Sequence, residues 1–91
     1  MATVAVRQTV SDYDAWKVVY DEHGTNRKEH GCTGDKILRG ETDPTEVFVL
    51  TYWPSMKNAH EFASDPSLRE AMSRAGVVGA PRIEFYEEAG A

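Results

Sequence analysis

The chain has 91 residues, of which 15 are acidic and 10 basic, for a net charge of −5, and residues 1–91 are expected to form a single domain with one modest core. Its Arg and Lys residues are scattered and form no basic stripe, which argues against a nucleic-acid partner. No apolar run approaches the roughly 20 residues that span a bilayer, so no membrane partner is expected. The N-terminus has no basic stretch followed by an apolar one, as a secretory signal would have. Together with the lone Cys32, which has no internal disulfide partner, this fits a reducing cytoplasm.

The first strand is read from about Thr3 to Val10. Val4, Val6 and Val10 share one face with Gln8 among them, and Ala5, Arg7 and Thr9 share the other. Ser11 is the expected N-cap of the first helix, with Asp12 and Asp14 at the positive end of its dipole. The helix reaches at least His23, weakens at Gly24-Thr25-Asn26, resumes through Arg27 to His30 and stops at Gly31.

The second strand covers roughly Asp35 to Gly40. A turn at Glu41–Thr45, with Pro44 unable to donate to a ladder, leads to the third strand, Glu46 to Trp53. That strand is apolar on both faces: Val47, Val49, Thr51 and Trp53 on one, Phe48, Leu50 and Tyr52 on the other. A half-exposed strand alternates apolar with polar residues, so both sides of this one need a cover.

Pro54 ends the strand, and Ser55 caps a helix from Met56 to Ser64. Asp65-Pro66 restarts the pattern, with Asp65 as cap and Pro66 at the first helical position, after which Leu68, Ala71, Met72 and Ala75 recur at i, i+3, i+4 and i+7 of an amphipathic helix. Gly76 closes it. The last strand is Arg82 to Glu87, and the tail Glu88–Ala91 is expected to fray.

Strand, helix, strand, strand, helix, strand is the ferredoxin-like β-α-β-β-α-β order of an α+β fold, a four-stranded antiparallel sheet with two helical segments on one face. Helices then cover one face of the sheet only. A second copy of the same sheet is the simplest cover for the other, which predicts a homodimer, the commonest closed assembly.

At about 100° per residue, Tyr13, Trp16, Tyr20, His23, Arg27 and His30 lie within one face of the first helix, if it continues past Gly24. The stripe begins aromatic and turns ionisable. One reading is a ligand pocket walled by Tyr13, Trp16 and Tyr20, with His23 as general acid or base and Arg27 holding a phenolate, enolate or carboxylate. The other is a helix leaving the core, with His23, Arg27 and His30 in water. Arg7 and Arg39, inside strand patterns, leave two readings, one of them lining the pocket or both pairing with Glu84 or Glu46, of which pairing is expected; His60 is expected to be solvated. Phe62 and Met72 read as core, with a ligand-lining role also open. The three His residues show no metal-ligand spacing, so no metal is expected.

Glu46-Val47-Phe48-Val49-Leu50-Thr51-Tyr52-Trp53-Pro54-Ser55, followed by Phe62-Ala63-Ser64-Asp65-Pro66-Ser67-Leu68-Arg69-Glu70-Ala71-Met72, resembles the antibiotic-biosynthesis-monooxygenase-like branch of the dimeric α+β barrel superfamily. Asp12–Trp16 and Arg74–Pro81 resemble a subgroup of small proteins described as cyclases or monooxygenases. The resemblance implies a dimeric α+β barrel, a small-molecule enzyme without cofactors and a small aromatic or polyketide-like ligand. It also implies a pocket role for Trp53, against plain core packing. A non-catalytic dimeric ligand-binding or accessory protein is the alternative. Where the haem-degrading branch has its Asn, Trp and His, this chain has Arg7, Phe62 and Ala71 and so lacks the iron-ligating His. Val49 stands where the quinone-forming branch has an Asn.

Overall fold

The computed structural model describes residues 1–90, so Ala91, at the end of the expected tail and of the expected domain, lies outside the described residues. The elements are β1 (Ala2–Val10), α1 (Tyr13–Glu22), α2 (Gly24–Glu29), β2 (Gly34–Arg39), β3 (Glu46–Trp53), α3 (Met56–Ala63), α4 (Pro66–Arg74) and β4 (Val77–Glu87). The strands form one antiparallel sheet in the order β2-β3-β1-β4. Each crossover is a pair of short helices, and this is the ferredoxin-like order read from the sequence.

Register decides which residues share a face. Ala2, Val4, Val6 and Gln8 of β1 stand opposite Trp53, Thr51, Val49 and Val47 of β3. All eight are buried, so this is the helix-covered face. Trp53 belongs to it and is fully buried, stacked on Phe62 of α3 at 4.7 Å between ring centroids. The opposite face carries no helix. It presents Phe48, Leu50 and Tyr52 half-buried, flanked by Leu38, Val78 and Tyr86, which are 45%, 57% and 51% exposed.

Several boundaries differ from expectation. Asp12, not Ser11, caps α1: it is extended (φ −151°), and its carboxylate accepts the Asp14 N–H at 3.0 Å. The Ser11 backbone N–H is instead given to the Gly76 carbonyl at 3.0 Å, which joins the start of α1 to the end of α4. Gly76 has φ +79°, and a Cβ there would lie 2.6 Å from the Ser11 hydroxyl oxygen. The break after α1 falls at His23, and Gly31, with φ +96°, ends the α2 segment. The second strand begins one residue earlier than expected, at Gly34. The last strand begins at Val77 rather than Arg82. A register shift between Arg7 and Thr9 lets β4 bulge around Gly79–Pro81 and pair again as Thr9↔Val78 and Val10↔Val77. Gly79 takes the left-handed conformation there (φ +72°).

The arginines in the strands do not pair with the carboxylates expected. Arg7 lies over the Phe48 ring on the open face, and Glu84 pairs with Arg82 instead. Arg39 lies over Tyr13 and donates to the Pro44 carbonyl. Each guanidinium sits on an aromatic face that the flanking strand or helix brings close. His60 is exposed on α3, as expected, and its ring lies 4.1 Å from that of Phe85.

Candidate functional site

A cavity of about 50 Å³ lies between the helices and the sheet. One water needs about 10–15 Å³ on this scale, so the space takes a few waters. Its walls are mostly apolar: Val6 and Val49 from the sheet floor, Trp16 and Val19 from α1, Leu68 and Met72 from α4. Five polar side chains join them: Gln8, Tyr20, His23, Arg27 and Thr51.

The α1–α2 face builds one wall as a column of rings between two guanidinium groups. Tyr13 and Trp16 are 5.6 Å apart, and Trp16 and Tyr20 are stacked at 5.0 Å. Arg39 covers the Tyr13 end at 3.9 Å, and Arg27 covers the Tyr20 end at 3.7 Å. Positions 13, 16, 20 and 27 meet in this way because i, i+3 and i+4 neighbours share a helix face. The break at His23 does not interrupt the ladder, since the Arg27 N–H still bonds to the His23 carbonyl at 3.3 Å.

Arg27 is the most unusual group in the site. It is 8% exposed. One guanidinium nitrogen donates to the Tyr20 carbonyl at 2.9 Å, and no carboxylate pairs with it among the described residues. Arginine keeps its charge in proteins, and buried charges are normally paired. The nearby Tyr20 hydroxyl donates to Asp35 at 2.6 Å. Burial first, and that hydrogen bond second, push the Tyr20 phenol well above its usual range, so it stays protonated.

His23 is half-buried, with Nε2 3.1 Å from the Ser67 hydroxyl. Burial, then the Arg27 charge, lowers its pKa below the ordinary 6.5, so the imidazole is neutral at pH 7. Beside it, Asp65 ties α2 to α4. Its carboxylate accepts from His30 Nε2 at 2.8 Å, Asn26 Nδ2 at 3.1 Å and the Ser67 backbone N–H at 2.9 Å. The His30 hydrogen bond first, then those of Ser67 and Asn26, hold Asp65 well below the usual carboxylate range.

Of the residues singled out from sequence, Trp16, Tyr20, His23, Arg27, Phe62 and Met72 line the cavity. Two do not. Tyr13 lies at the far end of the aromatic column under Arg39. Trp53 lies under Phe62, with its indole N–H donated to Thr51 Oγ1 at 2.9 Å. Its place at the strand end puts it beneath the α3 ring. The reading that leaves Arg27 and His30 in water does not hold, since Arg27 is buried and His30 is paired with Asp65.

Sequence reasoning passed over Gln8, although a single amide in a row of valines was a visible signal. It also took Asp65 as a helix cap only. The carboxylate does cap α4, but His30 and Asn26 are 35 and 39 residues away along the chain, and no local pattern announces that contact. Among the described residues no cluster of His, Cys, Asp and Glu is placed to hold a metal ion, and no helix is long and apolar enough to cross a membrane.

No family model and no curated protein sequence matches the chain. Solved structures do. One, provisionally assigned as an antibiotic biosynthesis monooxygenase from Deinococcus radiodurans, is 18% identical and superposes with a TM-score of 0.74, covering 100% of this chain and 95% of its own. Another with the same provisional assignment, from Caulobacter crescentus CB15, is 19% identical with a TM-score of 0.77, over 98% and 90%. SnoaB, a cofactor-independent oxygenase from Streptomyces nogalater, is 12% identical with a TM-score of 0.80, over 99% and 94%. At these identities the likeness establishes the fold: a ferredoxin-like α+β sheet with one helical layer, as in these proteins.

Proposed function

We propose that this protein is a small-molecule enzyme working without a bound cofactor, of the polyketide cyclase or monooxygenase kind, and that it acts as a homodimer. The observation that carries the reading is Arg27: a buried guanidinium on a cavity wall with no carboxylate partner among the described residues. A ligand anion would supply the missing partner. His23, held neutral beside it, is able to take a proton from that ligand, and Arg27 then stabilises the resulting enolate or phenolate. Proton removal from an enolisable aromatic or polyketide-like substrate is the step these residues support. The likeness in fold to a cofactor-independent oxygenase supports the reaction class.

The open sheet face supports the dimer. Phe48, Leu50 and Tyr52 form a continuous apolar strip there, and a second copy of the same sheet would cover it. A cytoplasmic setting, expected from the lone Cys32, belongs to the same proposal. The second reading is a non-catalytic ligand-binding or accessory protein, and the small volume of the cavity favours its accessory form.

One experiment separates the two. Turnover is measured on enolisable aromatic polyketides, with ligand binding followed by NMR of the His23 ring. The enzyme reading expects His23→Ala to lower turnover by about 10²–10⁴-fold while binding persists. Arg27→Lys should weaken both binding and turnover. Activity unchanged in His23→Ala, with the His23 resonances indifferent to ligand, would overturn the catalytic role and leave the accessory one.

A further inference from the structure

His23 stands at the break between α1 and α2, and Ser67 is the second residue of α4. Nε2 of the imidazole lies 3.1 Å from the Ser67 hydroxyl oxygen, and both residues are half-buried. Among the described residues no protein group is hydrogen-bonded to Nδ1. A neutral imidazole carries one proton, on either nitrogen, and only the bare nitrogen takes another. The bond to Ser67 therefore decides where His23 is basic. With the hydroxyl as donor, the Nε2 lone pair is occupied and the ring proton sits on Nδ1. With the hydroxyl as acceptor, the ring proton sits on Nε2 and Nδ1 is bare.

Asp65 selects between the two. A serine hydroxyl has one hydrogen to give and lone pairs to accept with. The Asp65 carboxylate stands two residues before Ser67 and accepts the Ser67 backbone N–H at 2.9 Å. Hydrogen bonds, one of them from the Ser67 hydroxyl, keep this carboxylate ionised far below neutral pH. His30 and Asn26 hold it from the α2 side at 2.8 and 3.1 Å, so its place is fixed. An ionised carboxylate only accepts, and it is a stronger acceptor than a neutral imidazole nitrogen. The hydroxyl hydrogen is spent on Asp65, which leaves the Ser67 oxygen as an acceptor for His23.

We infer that Ser67 is a positioning residue for His23: it accepts the Nε2 hydrogen and leaves Nδ1 as the nitrogen that takes a proton. The inference rests on His23 as the base proposed above. When Nδ1 gains its proton, the Nε2–H goes on donating to Ser67, so the imidazolium forms without the loss of a hydrogen bond. The charges around the ring give this support its use. Arg27, Arg74 and His30 oppose a second proton, and Asp65 favours it. Ser67 joins the ring to the favourable charge.

The test reads the ring nitrogens of His23 by long-range proton–nitrogen NMR correlation on the full chain, without ligand, at pH 8, where the ring is neutral. Wild type should show one form, protonated at Nε2 and bare at Nδ1. Ser67→Ala should shift His23 to the tautomer mixture of a histidine free in water. Titrated on the same signals, it should bind its second proton about tenfold more weakly, the worth of one hydrogen bond. Ser67→Thr keeps the hydroxyl and should restore both. Ser67→Cys, whose sulfur is a weak acceptor, serves if the Ala variant does not fold. A proton on Nδ1 in wild type, or a Ser67→Ala spectrum and titration like those of wild type, would overturn the role of Ser67 and leave that of His23 to its own turnover test. Wild-type turnover in His23→Ala would overturn the reading of His23 as base and this inference with it.

Discussion

Arg27 and Trp53 show how differently two buried side chains can be provided for. The Trp53 indole N–H has a side-chain partner two residues away in Thr51, on the same face of the same strand. Two-residue spacing in a strand brings side chains together on one face, so the contact follows from β3 itself. Thr51→Val keeps shape and removes the acceptor. It should cost about 1–3 kcal/mol in urea unfolding, because a buried donor loses its partner. A variant as stable as wild type would mean that the indole N–H finds another acceptor. Arg27 has no comparable local partner beyond one carbonyl and one ring.

Among the elements, the junction of α2 with α4 carries most of the polar chemistry. Asp65 accepts three hydrogen bonds from Asn26, His30 and Ser67, and Ser67 in turn meets His23. This clamp sets the height of α2 over the sheet and so the place of His23 and Arg27. It also gives stability a pH dependence of defined sign. Asp65 has a folded pKa below its ordinary 3.8, so its contribution is present above that value and lost as pH falls through the folded one. His23 has a folded pKa below its ordinary 6.5. The unfolded chain therefore binds the proton first, and stability declines as pH falls below about 6.5. Denaturant midpoints should fall in two stages, the first below about pH 6.5 and the second setting in below about pH 3.8. His23→Gln should flatten the first and Asp65→Asn the second. A His23→Gln profile identical to wild type would show that the imidazole titrates as it does in water.

For the whole molecule the deciding feature is the uncovered sheet face. Helices bury one side of β3, and the other side keeps Phe48, Leu50 and Tyr52 only half-covered, with Leu38 at the edge strand 45% exposed. If a second sheet covers this face, Leu50→Lys should convert a dimer to a monomer in sedimentation while the far-ultraviolet circular dichroism stays the same. A monomeric wild type at micromolar concentration would remove the homodimer from the proposal. The cavity lies on the other face, so ligand binding and association are separable in such a variant.

Much of this architecture could be read from local patterns. The two apolar faces of β3, the i, i+3, i+4 stripe of α4 and the Gly31 and Gly76 stops each depend on residues near one another in the chain, and the element order followed from them. The aromatic column was legible for the same reason, because Tyr13, Trp16, Tyr20 and Arg27 lie on one helical face. Local pattern did not say which face of β3 the helices cover, since both are apolar, and so it left Trp53 between pocket and core. Nor did it show that β4 starts at Val77, because Pro81 and two glycines hide a bulged strand. The Asp65 clamp and the burial of Arg27 and Gln8 depend on strand register and on how α2 and α4 seat over the sheet. Those are contacts between residues far apart in the chain, and only the packing of the elements brings them together.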